Sequence, residues 1–226
     1  MHTHIYFLLD RTGSMEPMAT DVIGGFNEFI REQQADGSDA RMTLVQFDSQ
    51  APFEVLVDGA AIAKIRPLTS ATFQPRGSTP LLDATAKLIL HAAARVTRRE
   101  AAGKKPEQVL VVTFTDGAEN ASEHFTTADV MEMVEGKKAA GWTFAFLGAG
   151  LDAYEGGRGF GYADGSARQF APDGAGAQTA FAMLSESTRS YRSRGRQGEA
   201  PDVDRFFESE GVSDDAEPAP SARRAR

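Results

Sequence analysis

The chain has no cysteine, which excludes disulfides, thiolate metal centres and a cysteine nucleophile. Its four histidines, His2, His4, His91 and His124, show no spacing that would pair them on one metal. No apolar run approaches the roughly 20 residues needed to span a bilayer, so a membrane is not expected among the partners. Basic residues are outnumbered: 24 Lys and Arg stand against 32 Asp and Glu, a net charge of −8. That balance argues against a nucleic-acid backbone as the main partner. The few basic clusters are Arg98-Arg99 with Lys104-Lys105, and Arg189, Arg192, Arg194 and Arg196. They fall at the ends of expected helices, where cations complement the helix dipole, and read as solvated termini. Met1-His2-Thr3-His4 leads straight into a strand-like run without a charged leader or small-residue cleavage site, so a cytoplasmic protein is expected.

What the chain does have is length for a sizeable core: 226 residues of ordinary globular composition. Apolar runs alternate with helical periodicity. Ile5–Leu9 reads as a first strand, and Val22, Ile23, Phe26, Phe29 and Ile30 place a helix over about Ala19–Gln34. Met42–Phe47 and Phe53–Val57 read as two strands whose short link, Asp48-Ser49-Gln50, suggests an antiparallel hairpin. A helix from Pro80 to about Arg99, a buried strand at Val109–Phe114, a helix at Thr127–Ala139 and a buried strand at Trp142–Leu147 follow. A short strand at Ala167–Phe170 and a helix over about Ala175–Arg194 complete the series. Strands alternating with helices predict a doubly wound α/β open sheet, mostly parallel with one antiparallel edge strand and helices on both faces. One domain is expected over residues 1–194. Residues 195–226, rich in Gly, Pro, Ser and charge, are expected to be disordered. Within them Val203, Phe206 and Phe207 stand out, read either as a short docking helix or as a tail that touches its own domain. Gly156, Gly157, Gly159 and Gly161 read as turns.

The chemistry gathers at strand ends, where open α/β sheets bind ligands. Asp10-Arg11-Thr12-Gly13-Ser14 follows the first strand and places an acid and two hydroxyls at alternate positions. Asp116 follows the Val109–Phe114 strand, and Thr79 precedes the helix that begins near Pro80. Two carboxylates and three hydroxyls form an all-oxygen donor set suited to Mg²⁺ or Mn²⁺ rather than zinc. Each residue also has a plainer reading: Asp10 as a loop cap, Thr79 as a helix N-cap, Asp116-Gly117 as a turn. Glu119 and Asn120 lie near enough to bond the shell, though a solvated loop is the simpler reading. Arg11 is expected either to face solvent and meet an acidic partner or to be a surface charge without function.

Together these motifs resemble the von Willebrand factor type A family and its metal-ion-dependent adhesion site. The family pattern is Asp-x-Ser-x-Ser after strand one, then a lone Thr, then an Asp often followed by Gly. Here the matching residues are Asp10, Thr12 and Ser14, then Thr79 in Gly77-Ser78-Thr79-Pro80-Leu81, then Asp116 in Thr115-Asp116-Gly117. The resemblance covers roughly residues 3–193. Thr12 departs from the pattern, but it keeps the hydroxyl and adds a methyl group. The resemblance implies that Ser14, Thr12 and Thr79 supply hydroxyl ligands and that Asp10 and Asp116 bind directly or through water. It also implies an open position filled by an Asp or Glu of another protein. Phe146-Leu147-Gly148-Ala149, Ala180-Phe181 and Ser190-Tyr191-Arg192 are similar to stand-alone bacterial members linked to tellurite and stress resistance, or to partners of AAA+ ATPases.

The competing enzyme reading is a haloacid-dehalogenase-like Mg²⁺-dependent phosphohydrolase with Asp10 as nucleophile. Its acid/base position is occupied by Thr12, which removes the general acid. Gly148-Ala149-Gly150 lacks the third glycine of a dinucleotide site, and no Gly-x-Ser-x-Gly elbow is present. A non-enzymatic interaction module is therefore expected.

Overall fold

The computed structural model describes residues 1–208. Six strands form one sheet: β1 (His2–Asp10), β2 (Ala40–Phe47), β3 (Glu54–Ala61), β4 (Glu107–Thr115), β5 (Thr143–Ala149) and β6 (Ala167–Phe170). Their order is β3-β2-β1-β4-β5-β6, all parallel except β3, which runs antiparallel to β2 at one edge. Five helices accompany them: α1 (Ala19–Ala35), α2 (Leu81–Ala101), α3 (Thr127–Ala139), α4 (Gly150–Gly159) and α5 (Gly174–Gln197). The doubly wound sheet expected from the alternation is the observed one. Among the described residues, no helix is long and apolar enough to cross a membrane.

The central strands read as continuous apolar runs because both faces are covered. Ile5, Phe7 and Leu9 point into the core shared with α1 and α5, while Tyr6 and Leu8 point into the core shared with α2. Phe7 meets Phe26 edge-on at 5.4 Å and Phe29 at 5.8 Å, and Phe114 stacks on Phe181 at 4.5 Å. The close packing of α5 on α1 requires Gly25, where a Cβ would lie 2.4 Å from the Phe181 ring.

Three expectations need correction. The first concerns Gly156, Gly157 and Gly159, which are helical, in α4, rather than turns. This helix lies so close to β5 that a Cβ at Gly157 would sit 2.5 Å from the Phe146 ring. Gly157→Ala should therefore destabilise by about 1–3 kcal/mol through overpacking, outweighing the roughly 1 kcal/mol that alanine gains in helix propensity. Urea unfolding checks this, and a stabilised variant would overturn it. Gly161, with φ +88°, does mark the turn after the helix.

The second correction is at the C-terminal side. Order does not stop at residue 194: α5 runs to Gln197 and ends on Gly198 in the left-handed conformation. Residues 199–208 then fold back without forming a helix. Phe206 and Phe207 are fully buried, their amides donating to Ser166 Oγ (3.1 Å) and the Gly165 carbonyl (2.9 Å). Burying each ring contributes about 1.5–3 kcal/mol towards ordering this short return. The rest of the expected tail, residues 209–226, lies outside the described residues. The third correction is Arg192, which is fully buried rather than solvated, with its guanidinium inserted between α5 and the turn after α1.

Candidate metal site

Asp10 and Thr115 are the last residues of adjacent parallel strands, so they reach the same edge of the sheet together. There the buried Asp10 carboxylate accepts the Thr12 amide at 2.7 Å and the Thr115 hydroxyl at 2.5 Å. Thr12 is extended and leads into a short 3₁₀ turn, Gly13–Met18, which turns Ser14 back over the strand ends. The Ser14 hydroxyl donates to Asp116 Oδ1 at 2.8 Å and lies 3.2 Å from the Thr12 hydroxyl. Thr79 is buried beside them, and a Cβ at Gly117 would lie 2.8 Å from its hydroxyl oxygen. Glycine at 117 thus lets the loop after β4 close onto Thr79. The structure brings Asp10, Thr12, Ser14 and Asp116 into one hydrogen-bonded chain, with Thr79 adjoining it through Gly117.

The electrostatics of this cluster are unbalanced. Burial raises the Asp10 pKa to about 7, against the hydrogen bonds from Thr115 and Thr12, and the neighbouring Asp116 adds repulsion. Burial also raises Asp116, opposed by the Ser14 hydroxyl. Neither carboxylate has an ion pair among the described residues. Nor, among the described residues, do three or more His, Cys, Asp or Glu side chains gather as a metal-binding group, so hydroxyls must carry part of any coordination here. Two carboxylates lacking a counter-charge beside three hydroxyls fit a hard divalent cation such as Mg²⁺ or Mn²⁺.

Arg11 does not supply the missing charge, nor does it face solvent as expected. Its guanidinium is buried and binds Asp48 through Nε (2.9 Å) and Nη2 (2.6 Å), with Nη1 on Gln46 Oε1 (3.0 Å) and Glu54 (2.7 Å). Arg76 Nε reaches the same Asp48 oxygen at 3.1 Å, while its amide donates to the Arg11 carbonyl at 2.9 Å. Asp48 also accepts the Gln50 and Ala51 amides. One buried carboxylate therefore ties the Asp10–Ser14 loop to the loop that carries Thr79. The Gly13 amide strengthens the tie by donating to the Gly77 carbonyl at 3.1 Å, where Gly77 adopts φ +69°. Asp48 was visible in the sequence only as a link residue. The missed signal is that β2, like β1, meets an aspartate where it ends.

Thr79 is not the N-cap of α2; Pro80 holds that position without a side-chain bond. Glu119 serves the helix start instead, accepting the Leu82 amide at 2.8 Å and the Ser122 hydroxyl at 2.7 Å. Asn120 accepts the Thr79 amide at 2.8 Å and returns its own amide to the Thr79 carbonyl at 3.1 Å. These two residues do not form a solvated loop but clamp the Thr79 segment to the Asp116 segment. A further carboxylate, Asp83, accepts the Glu123, His124 and Phe125 amides and holds the far end of the same loop.

The model of the von Willebrand factor type A domain matches residues 4–186. The chain belongs to that family. No curated protein matches this von Willebrand factor type A domain in sequence. Among solved structures, it is similar to the pilus adhesin SpaC of Lactobacillus rhamnosus GG (TM-score 0.62, 13% identity, 83% of this chain and 30% of that one). It is also similar to a von Willebrand factor type A protein of Catenulispora acidiphila (0.54, 14%, 83% and 43%). A third is the manganese-loaded TRAP protein of Plasmodium vivax (0.52, 18%, 79% and 71%). At these identities the likeness shows the fold alone, and this domain spans less than a third of the SpaC chain.

Proposed function

We propose that this von Willebrand factor type A domain is a metal-dependent protein-interaction module, in which Asp10, Thr12, Ser14, Thr79 and Asp116 hold Mg²⁺ or Mn²⁺. The observation that carries the reading is the convergence of two unneutralised carboxylates, Asp10 buried and Asp116 half-buried, with three hydroxyls at the ends of β1 and β4. When bound, the cation supplies positive charge and an exchangeable coordination position that an Asp or Glu of another protein can fill. Ser14 is exposed, so the cluster opens outward. Buried Asp10 and Thr115 close it from below. The manganese named for the Plasmodium vivax relative agrees with this choice of ion. In the finer form of this reading, the domain works in the cytoplasm in a stress-response assembly, with an AAA+ ATPase as partner. That form is supported by the motif resemblance at Phe146–Ala149 and Ser190–Arg192.

The test is thermal unfolding with chelator against millimolar Mg²⁺ or Mn²⁺. A cation at a hundredfold excess over its dissociation constant adds about 2.7 kcal/mol, equivalent to roughly 5–10 °C in a domain of this size. Asp116→Ala should erase the metal-dependent increment. No shift in the native protein would overturn the reading, and turnover of small phosphoesters that is lost in Asp10→Asn would replace it with the phosphohydrolase.

A further inference from the structure

At the opposite end of the sheet, the C-terminal turns of α2 and α3 enclose a cleft of about 350 Å³. Val96, Val109 and Trp142 give it apolar walls; Lys104, Lys105 and Lys137 give it a basic rim. None of these three lysines forms an ion pair among the described residues. Lys137 instead lies over the Trp142 ring, 5.2 Å from its centroid. Two carboxylates share the lining, Glu100 and Glu107, and Glu107 is already surrounded by Arg99 (3.0 Å), His4 (3.5 Å) and Arg41 (3.6 Å). With Arg99, the lining carries four cations against two carboxylates, a local reversal of sign in a chain of net charge −8.

Just outside the cleft lining, the chain makes one basic–acidic contact of this kind with its own C-terminal return. Lys138, next to Lys137, binds Asp204 at 2.6 Å, and Arg168 covers the buried Phe207 at 5.4 Å. We propose that the cleft is a second binding site, for an acidic peptide segment of a partner protein. An apolar side chain of that segment would rest between Val96 and Trp142, and its flanking carboxylates would meet Lys104, Lys105 and Lys137. This surface is independent of the metal reading, being at the other end of the strands.

Trp142 is the sole tryptophan, so its emission reports on the cleft directly. The probe is a capped peptide of sequence Asp-Glu-Phe-Asp-Glu, titrated into the full chain in chelator at low salt. A saturable change in emission is expected, weakened about tenfold or more by the double change Lys104→Glu and Lys105→Glu, and by high salt. Both lysines are exposed, so the variant should keep the native melting temperature, which is measured alongside. Absence of a saturable change, or undiminished binding by the double variant, would overturn the proposal. Tighter binding of a single-stranded oligonucleotide than of the peptide would overturn it equally, assigning the lysines to nucleic acid.

Discussion

Replacing Arg192 with methionine is expected to cost about 3 kcal/mol of stability, seen as a lower urea midpoint with an unchanged slope. The side chain is fully buried, and its two arms serve different partners. Nη1 donates to the Gln33 carbonyl at 2.7 Å and Gln33 Oε1 at 3.1 Å; Nη2 donates to the Gly37 carbonyl at 2.9 Å and Asp39 Oδ1 at 2.6 Å. Methionine fills most of the space but leaves the Gln33 and Gly37 acceptors without this donor, and a buried acceptor left without a partner costs about 1–3 kcal/mol. The total stays below the full sum because Arg196 still binds Asp36 at 2.9 Å and Asp39 at 3.2 Å. Arg192→Lys should fall between the native protein and the methionine variant, since one ammonium cannot serve both arms. A loss below about 0.5 kcal/mol in the methionine variant would show that the network contributes little.

Asp48→Ala is expected to cost about 3–5 kcal/mol and also to shrink the metal-dependent rise in melting temperature. The substitution leaves the buried Arg11 guanidinium with only Gln46 and the part-exposed Glu54, and frees the Gln50 and Ala51 amides. It also releases Arg76, so the loops bearing Ser14 and Thr79 lose their shared anchor. Asp48→Asn separates charge from shape, because the amide oxygen can still accept from the two backbone amides. Burial alone would raise the Asp48 pKa, but the Ala51 amide, Arg11 and the Gln50 amide together hold it below the usual carboxylate value. Its stabilisation is therefore present above the unfolded value of about 3.9 and lost as pH falls through the lower folded value. Acid unfolding of Asp48→Asn should lack that component. A native-like metal response in Asp48→Ala would show that the anchor does not position the site.

The parts of the fold that could be read in the sequence are those where a local pattern mirrors burial. β1, β4 and β5 announce themselves as unbroken apolar runs because helices cover both their faces. The metal candidates were readable for a similar reason: parallel strands bring their trailing loops to one edge, so position along the chain implies proximity. What was not readable depends on a second, distant residue. Arg11 and Arg192 look like solvated charges until Asp48 and Gln33 are seen to surround them. Gly157 looks like a turn until Phe146 is seen to need the space. Phe206 and Phe207 sit among acids, and only the acceptors offered by buried Gly165 and Ser166 explain their return to the core.

The N-terminal amine donates to the Gly195 carbonyl at 3.0 Å, so residue 1 is pinned to the last turns of α5. From that contact β1 runs nine residues to Asp10, a rise of about 30 Å. A molecule immobilised through residue 1 would therefore stand on end. Its carboxylate-rich tip would face solution while the lysine-rimmed cleft lay against the support. Tethering at the opposite tip would invert that orientation, so the choice of attachment point decides which of the two surfaces a sensor can interrogate.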